Sequence, residues 1–128
     1  MDIIIAVGVG GGVGAIARYL FMSACGRLCG TAFPWGTLGV NVIGCFIMGV
    51  LVEVMARRWN ADQATRALLT TGFLGGFTTF STFSLDFAVL LERGAQLSAA
   101  LYVLASVILS LLAVFAGLFL FRWLLPAT

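Results

Sequence analysis

The chain has no histidine and no lysine, only two prolines, and charged residues make up just 9% of its 128 positions. Each scarcity excludes something. Without histidine, with no nucleophile next to a base and no carboxylate pair at matched depth, the usual groups of acid–base and covalent catalysis are missing, and an enzyme is not expected. The three cysteines, Cys25, Cys29 and Cys45, are odd in number and match no metal-ligand spacing, so they read as free small residues. Cys25 follows "MSA" in the manner of a lipoprotein cleavage site, but Asp2 at the start and Arg18 inside the run argue against a signal peptide. A net charge of +2 spread over scattered arginines forms no basic patch, which excludes nucleic acid as a partner.

What is abundant is apolar sequence, at 62% of the residues. Runs over 3–22, 36–56, 67–91 and 98–125 each reach the roughly 20 residues that cross about 30 Å of hydrocarbon. The expectation is an all-α membrane protein: one domain over 1–128, four transmembrane helices and the lipid bilayer as surroundings. The breaks agree, with "CGRLCGTAFP" read as a Gly-rich, Pro-ended loop, "RRWNADQATR" as the charged connection and "ERGAQ" as a tight turn. Trp35, Trp59, Trp123 and Tyr19 fall near the expected span ends, where amphipathic rings favour the interface. Orientation is nearly unbiased. Arg57, Arg58, Arg66 and Arg122 lie on the side of the termini against Arg18, Arg27 and Arg93 on the other, four to three. A chain with so little bias is expected to insert both ways, and an antiparallel homodimer would reproduce the inverted repeat that larger transporters carry in one chain.

Three spans carry strips with a period of four, which places them on one helical ridge. They are Ala6, Gly10, Gly14, Arg18; Thr37, Asn41, Cys45, Gly49, Glu53; and Ser98, Tyr102, Ser106, Ser110. Small members serve close helix packing. Asn41, Tyr102 and the serines exceed what packing requires.

The third span contains "GGFTTFSTFS", residues 75–84, which weakens its own helix with adjacent glycines and competing hydroxyls. A third helix broken near Gly75–Thr79 is expected, with main-chain carbonyls left free to line water or hold a cation. Beyond the break, Phe77, Phe80, Phe83, Ser84 and Phe87 would share one face of a continuous helix, with Thr82 and Asp86 opposite; a break near Gly75 destroys that wheel. Ring edges and the hydroxyls of Ser81 and Thr82 would meet a dehydrated anion. "GGGVGA" contains a G-x-G-x-x-A match at Gly10, Gly12 and Ala15, but the strand and acidic residue of a dinucleotide fold do not accompany it.

Among transport functions, a small multidrug-type proton-coupled exporter needs a carboxylate in mid-span, whereas Glu53 and Asp86 lie toward span ends. A pure assembly subunit leaves the hydroxyl rows without a purpose. Weak neutral ligands suit a pore for a small ion, because selection without full charge lets the ion leave quickly.

"GGGVGAIARY", "PWGTLGVNVIGCFIMG", "TTGFLGGFTTFSTFS" and the row Tyr102, Ser106, Ser110 resemble the Fluc (CrcB) fluoride channel family over essentially the whole chain. The resemblance implies a dual-topology antiparallel homodimer in the bacterial plasma (inner) membrane, with two fluoride pathways that expel fluoride passively after HF has entered and dissociated. It further implies that Phe80 and Phe83 are pore phenylalanines, Asn41 the pore amide, and Ser81, Thr82 and Ser84 a hydroxyl track. Tyr102 and Ser106 would line the pathway from the fourth span with Thr37 nearby, and Arg18 would attract anions at a vestibule. The carbonyls of Gly75 and Thr78 would hold a structural Na⁺ on the dimer axis. Asp86 stands where some relatives carry glutamate, a shorter carboxylate with no role assigned.

Overall fold

A computed structural model describes residues 1–125; the last three positions, to which the expected single domain extends, lie outside the described residues. The regular structure among the described residues is entirely helical, and four units are long and apolar enough to cross a membrane: Ile3–Cys29, Trp35–Arg57, Gln63–Glu92 taken through its break, and Gln96–Leu124.

Helix α1 (Ile3–Cys29) begins where the Asp2 carboxylate accepts the Ile4 N–H at 2.9 Å, and it ends at Gly30, whose φ of 77° is open to a residue without Cβ. It therefore runs beyond the expected end at residue 22, and "CGRLC" is helix rather than loop. An isolated glycine such as Gly26 costs a helix only about 1 kcal/mol, too little to end one this long. Arg18 and Tyr19 consequently sit inside α1 and not at its end.

Helix α2 (Trp35–Arg57) follows the short connection, and the third span starts with α3 (Gln63–Ala67), so "QATR" is also helical. Asp62 precedes α3, and the Thr65 hydroxyl inside that helix donates to its carboxylate and holds it below its usual range. The third span continues through a π-helical stretch (Leu68–Leu74) and one turn, α4 (Gly75–Phe77), then breaks and resumes as α5 (Phe80–Glu92). Gly94, with φ of 73°, makes the expected tight turn into α6 (Gln96–Leu124).

Two glycine seams assemble these elements. Ala6, Gly10 and Gly14, the strip read from the first span, are buried, and they face the first half of the third span. A Cβ at Gly10 would strike the Leu68 carbonyl, one at Gly14 the Phe73 carbonyl, and one at Gly76 the Gly11 carbonyl. Across α2 and α6, Gly49 and Gly117 stand against the Val114 and Phe46 carbonyls in the same way. In lipid, helices gain little from hydrophobic association, so backbone-to-backbone approach at small residues is what holds them. The α2–α6 seam is closed at one end by a buried carboxylate: Arg122 donates to both oxygens of Glu53 at 3.2 Å each, and Arg57 donates to it as well. At the other end, Leu38, Leu90, Ala99 and Tyr102 form a cluster with Phe33, Phe83 and Phe87 packed on it.

Candidate functional site

The third span breaks at two threonines. Thr78 (φ −84°, ψ 157°) and Thr79 (φ −153°, ψ 119°) are extended, while Gly75 keeps helical angles of −63° and −37°. The break thus lies within the expected 75–79 window but is not made by the glycines, since Gly76 serves close approach to α1 instead. Asn41 makes it possible. Its Oδ1 accepts the Thr79 N–H at 2.8 Å and its Nδ2 donates to the Thr79 carbonyl at 3.0 Å, so one side-chain amide replaces the pairing that an interrupted helix loses. In a continuous helix the Thr79 N–H would donate to the Gly75 carbonyl; Asn41 takes that donor and leaves the carbonyl to another partner. Thr79 then restarts the helix as N-cap, with its hydroxyl accepting from the Thr82 N–H at 3.1 Å and donating to the Thr82 hydroxyl at 3.1 Å.

Around the break opens a cleft of about 300 Å³ between α2, α5 and α6. It brings together Asn41, Thr78, Phe80, Phe83 and Ser106 from the predicted residues, and adds Cys45, Thr79 and Ser110. Phe80 is 77% exposed, and its ring centroid lies 5.4 Å from that of Phe83. The Ser106 hydroxyl is buried with no hydrogen-bond partner. A buried orphan hydroxyl costs about 1–3 kcal/mol, and Ser106 is the buried side-chain group on the cleft wall that the described residues leave unsatisfied.

The remaining predicted residues divide into two groups. Ser81 lies 3.3 Å from the Thr79 hydroxyl, and the Ser84 hydroxyl donates to the Phe80 carbonyl at 3.0 Å, so both stay beside the break on the open face of α5. Thr37 and Tyr102 are buried, and the Phe83 ring lies 5.1 Å from the Tyr102 ring. Tyr102 donates to Asp86 at 3.0 Å. Phe77, buried against Phe21 and Phe73, does not share a face with Phe80. Of the residues that the sequence motifs do not assign to the site, Thr79 carries an N-cap signal in Thr-Phe-Ser-Thr, Cys45 and Ser110 lie on the period-four strips, and Asp86 carries no signal for its partner Tyr102.

The break, the cleft and both glycine seams up to Gly117 fall inside residues 5–118, which match the sequence profile of the family described as "CrcB-like protein, Camphor Resistance (CrcB)". The chain belongs to the CrcB-like family. A protein of Chelativorans sp. (strain BNC1) named "Fluoride-specific ion channel FluC" is 60% identical over 117 residues, 91% of this chain and 94% of its own. Proteins of the same name from Rhizobium etli (strain ATCC 51251) and Rhodospirillum centenum (strain ATCC 51521 / SW) are each 55% identical, covering 91% and 95% of this chain and 93% and 97% of theirs. These names denote ion conduction and not catalysis. The chain is therefore a multi-pass membrane protein of a transport family, with no enzymatic role.

In this CrcB-like chain the two carbonyls expected to hold a cation differ in their surroundings. Gly75 is exposed and its carbonyl has lost its helical donor to Asn41, which leaves a hard oxygen suited to Na⁺. The Thr78 carbonyl accepts from Arg18 at 3.3 Å, a long contact that leaves a lone pair for a second partner. The donor chemistry fits a hard cation, although one chain supplies only these two ligands. Arg18 itself is pinned to the break.

Proposed function

We propose that this chain is the subunit of a fluoride-selective channel that lets fluoride leave the cytoplasm passively and so protects the cell from its toxicity. The observation that carries the reading is the unpartnered Ser106 hydroxyl, set in the same cleft as the Phe80 and Phe83 rings. A small anion there would receive a hydroxyl hydrogen and positive ring edges, neutral donors weak enough to release it. The names of relatives at up to 60% identity support fluoride as the ion.

The working unit in this reading is an antiparallel homodimer in the bacterial inner membrane, with one pathway for each copy. Phe80, a large ring exposed in mid-span on an open cleft, is the surface a second copy would cover. The near balance of arginines suits insertion in both directions. Two copies would bring two Gly75 and two Thr78 carbonyls to one axis, a set of four oxygens for a structural Na⁺; that ion would tie the breaks together and favour a nearby anion. Arg18 adds positive charge beside the path. The exporter reading is weaker, because Glu53 is held between two arginines and Asp86 accepts from Tyr102, so neither stands free to exchange a proton for substrate.

The test uses purified protein in liposomes loaded with potassium fluoride or potassium chloride, with a potassium ionophore to relieve the charge. Rapid fluoride release at the electrode without chloride release is expected. Equal release of both anions overturns the selectivity, and release that requires a proton gradient restores the exporter.

A further inference from the structure

We propose that a groove between the start of α2 and the first half of α6 binds an anionic phospholipid, with one acyl chain lying in the groove and the phosphate meeting Arg93 at its mouth. The groove, of about 580 Å³, is separate from the cleft at the break. Phe33, Trp35 and Leu38 line it from α2 and its approach, and Leu101, Leu104 and Ile108 line it from α6. Leu104 and Ile108 flank Ser106 by two residues on either side, which puts them on the face of α6 turned away from the cleft. A second copy covering Phe80 therefore leaves this groove to lipid. The inference needs only a chain that spans the membrane and does not depend on which ion passes.

Length and charge select the occupant. From Ser98 to Leu109 the groove follows α6 for about 16 Å at the regular helical rise, close to half of a hydrocarbon core of roughly 30 Å. It starts beside Trp35 at the head of α2, where an indole favours the interface, so it reaches from one membrane surface to mid-depth. That is the reach of an acyl chain in one leaflet. The lining is apolar except for Ser98, which suits a chain and offers little to a free polar solute. The charge lies at the mouth: Arg93 is exposed in the turn before α6, and its Nη1 donates to the Thr31 carbonyl at 3.4 Å, which brings the guanidinium to the short loop that carries Phe33. That bond uses one N–H, and the fork that remains can take two oxygens of a phosphate. Glu92, also exposed, forms no ion pair with Arg93 among the described residues, which leaves the guanidinium to the headgroup.

The test uses the variant Trp59→Phe/Trp123→Phe, both indoles being exposed, so that Trp35 is the remaining fluorophore. It is reconstituted in phosphatidylcholine vesicles that contain a minor fraction of either brominated phosphatidylglycerol or brominated phosphatidylcholine, whose chains quench an indole they touch. Quenching of Trp35 by the anionic lipid is expected to be favoured about fivefold at low salt, and the preference should fade at high salt as the exposed arginine is screened. Arg93→Gln should abolish the preference and Arg93→Lys should keep most of it. Arg27→Gln, an equal loss of charge from the last turn of α1, should leave it unchanged. Thermal unfolding checks that each variant is folded; if Arg93→Gln is not, the salt dependence decides alone. Inorganic phosphate added to the vesicles should not displace the lipid, because it has no chain to place in the groove. Equal quenching by the two lipids, a preference that survives high salt, or one lost as fully with Arg27→Gln overturns the proposal. Displacement by inorganic phosphate overturns it too, as does quenching by neither lipid, which gives the groove to a second copy.

Discussion

The two halves of the third span are built on opposite terms. From Gln63 to Phe77 the chain lies against α1, with Gly72, Leu74 and Phe77 buried and glycine meeting backbone along the whole contact. From Phe80 onward only Leu90 is buried, while Phe80, Ser81, Ser84 and Leu85 are open. The first half packs mainly within the chain. The second leaves the Phe80 ring, Ser81 and Ser84 on an open face among the described residues, although it follows the first by just two extended residues. The difference separates what holds the fold from what is offered to a partner or an ion, and substitutions in the two halves should divide accordingly.

The largest loss of stability is expected from Gly14→Ala. Its new methyl group would strike the Phe73 carbonyl, a backbone atom that cannot rotate away, so α1 must move off the third span. Overpacking of this kind costs about 1–3 kcal/mol or more. Thermal unfolding in detergent should show a clear fall, while Gly8→Ala, six residues earlier with nothing within 4 Å, should be neutral or slightly stabilising. Equal behaviour of the two variants would dissolve the distinction between held and open surfaces.

A smaller loss is expected at the junction between the halves. Asn41→Asp keeps an acceptor for the Thr79 N–H but removes the donor to the Thr79 carbonyl. The lost partner costs about 1–3 kcal/mol. A carboxylate on the cleft wall would also repel an arriving anion, so fluoride flux should fall by more than the fraction of protein lost to unfolding. Normal flux in this variant would mean that Asn41 only staples the break and lies away from the ion path.

The junction also shows how far the sequence can be read. The four spans, the glycine strips and a break inside residues 75–79 follow from local signals: run length, a period of four, and glycines beside hydroxyls. The choice of Thr78 and Thr79 as the break does not, because its cause is Asn41, 38 residues away in sequence. Glycine pairs carry two meanings, freedom of backbone and closeness of approach, and only the neighbouring helix selects the second for Gly76. The π-helical stretch is likewise invisible in "LLTTGFL", whose residues suit any helix. The helical end of α1 depends on Gly30 and not on Gly26, a difference that requires the φ value. Among site residues, Phe80, Phe83, Asn41 and Ser106 were legible through their setting in unusual motifs. The pairing of Asp86 with Tyr102 was not, since neither residue advertises the other.

The smallest change in stability, with a large change in flux, is expected at Phe80. Its side chain is 77% exposed, and its ring neighbour is Phe83, so Phe80→Ile removes little packing from a single chain. What it removes is the electropositive ring edge beside the cleft. Thermal unfolding of the single subunit should stay within about 0.5 kcal/mol of the parent, as for surface substitutions, any larger fall in the dimer measuring the contact with the second copy, while fluoride release drops. Phe83→Ile, which also loses the contact with the Tyr102 ring, should match the drop in flux and add a measurable loss of stability. If Phe80→Ile instead lowers stability and leaves the flux of the surviving protein normal, the ring is an anchor for the second copy, and the open half of the third span belongs to assembly alone.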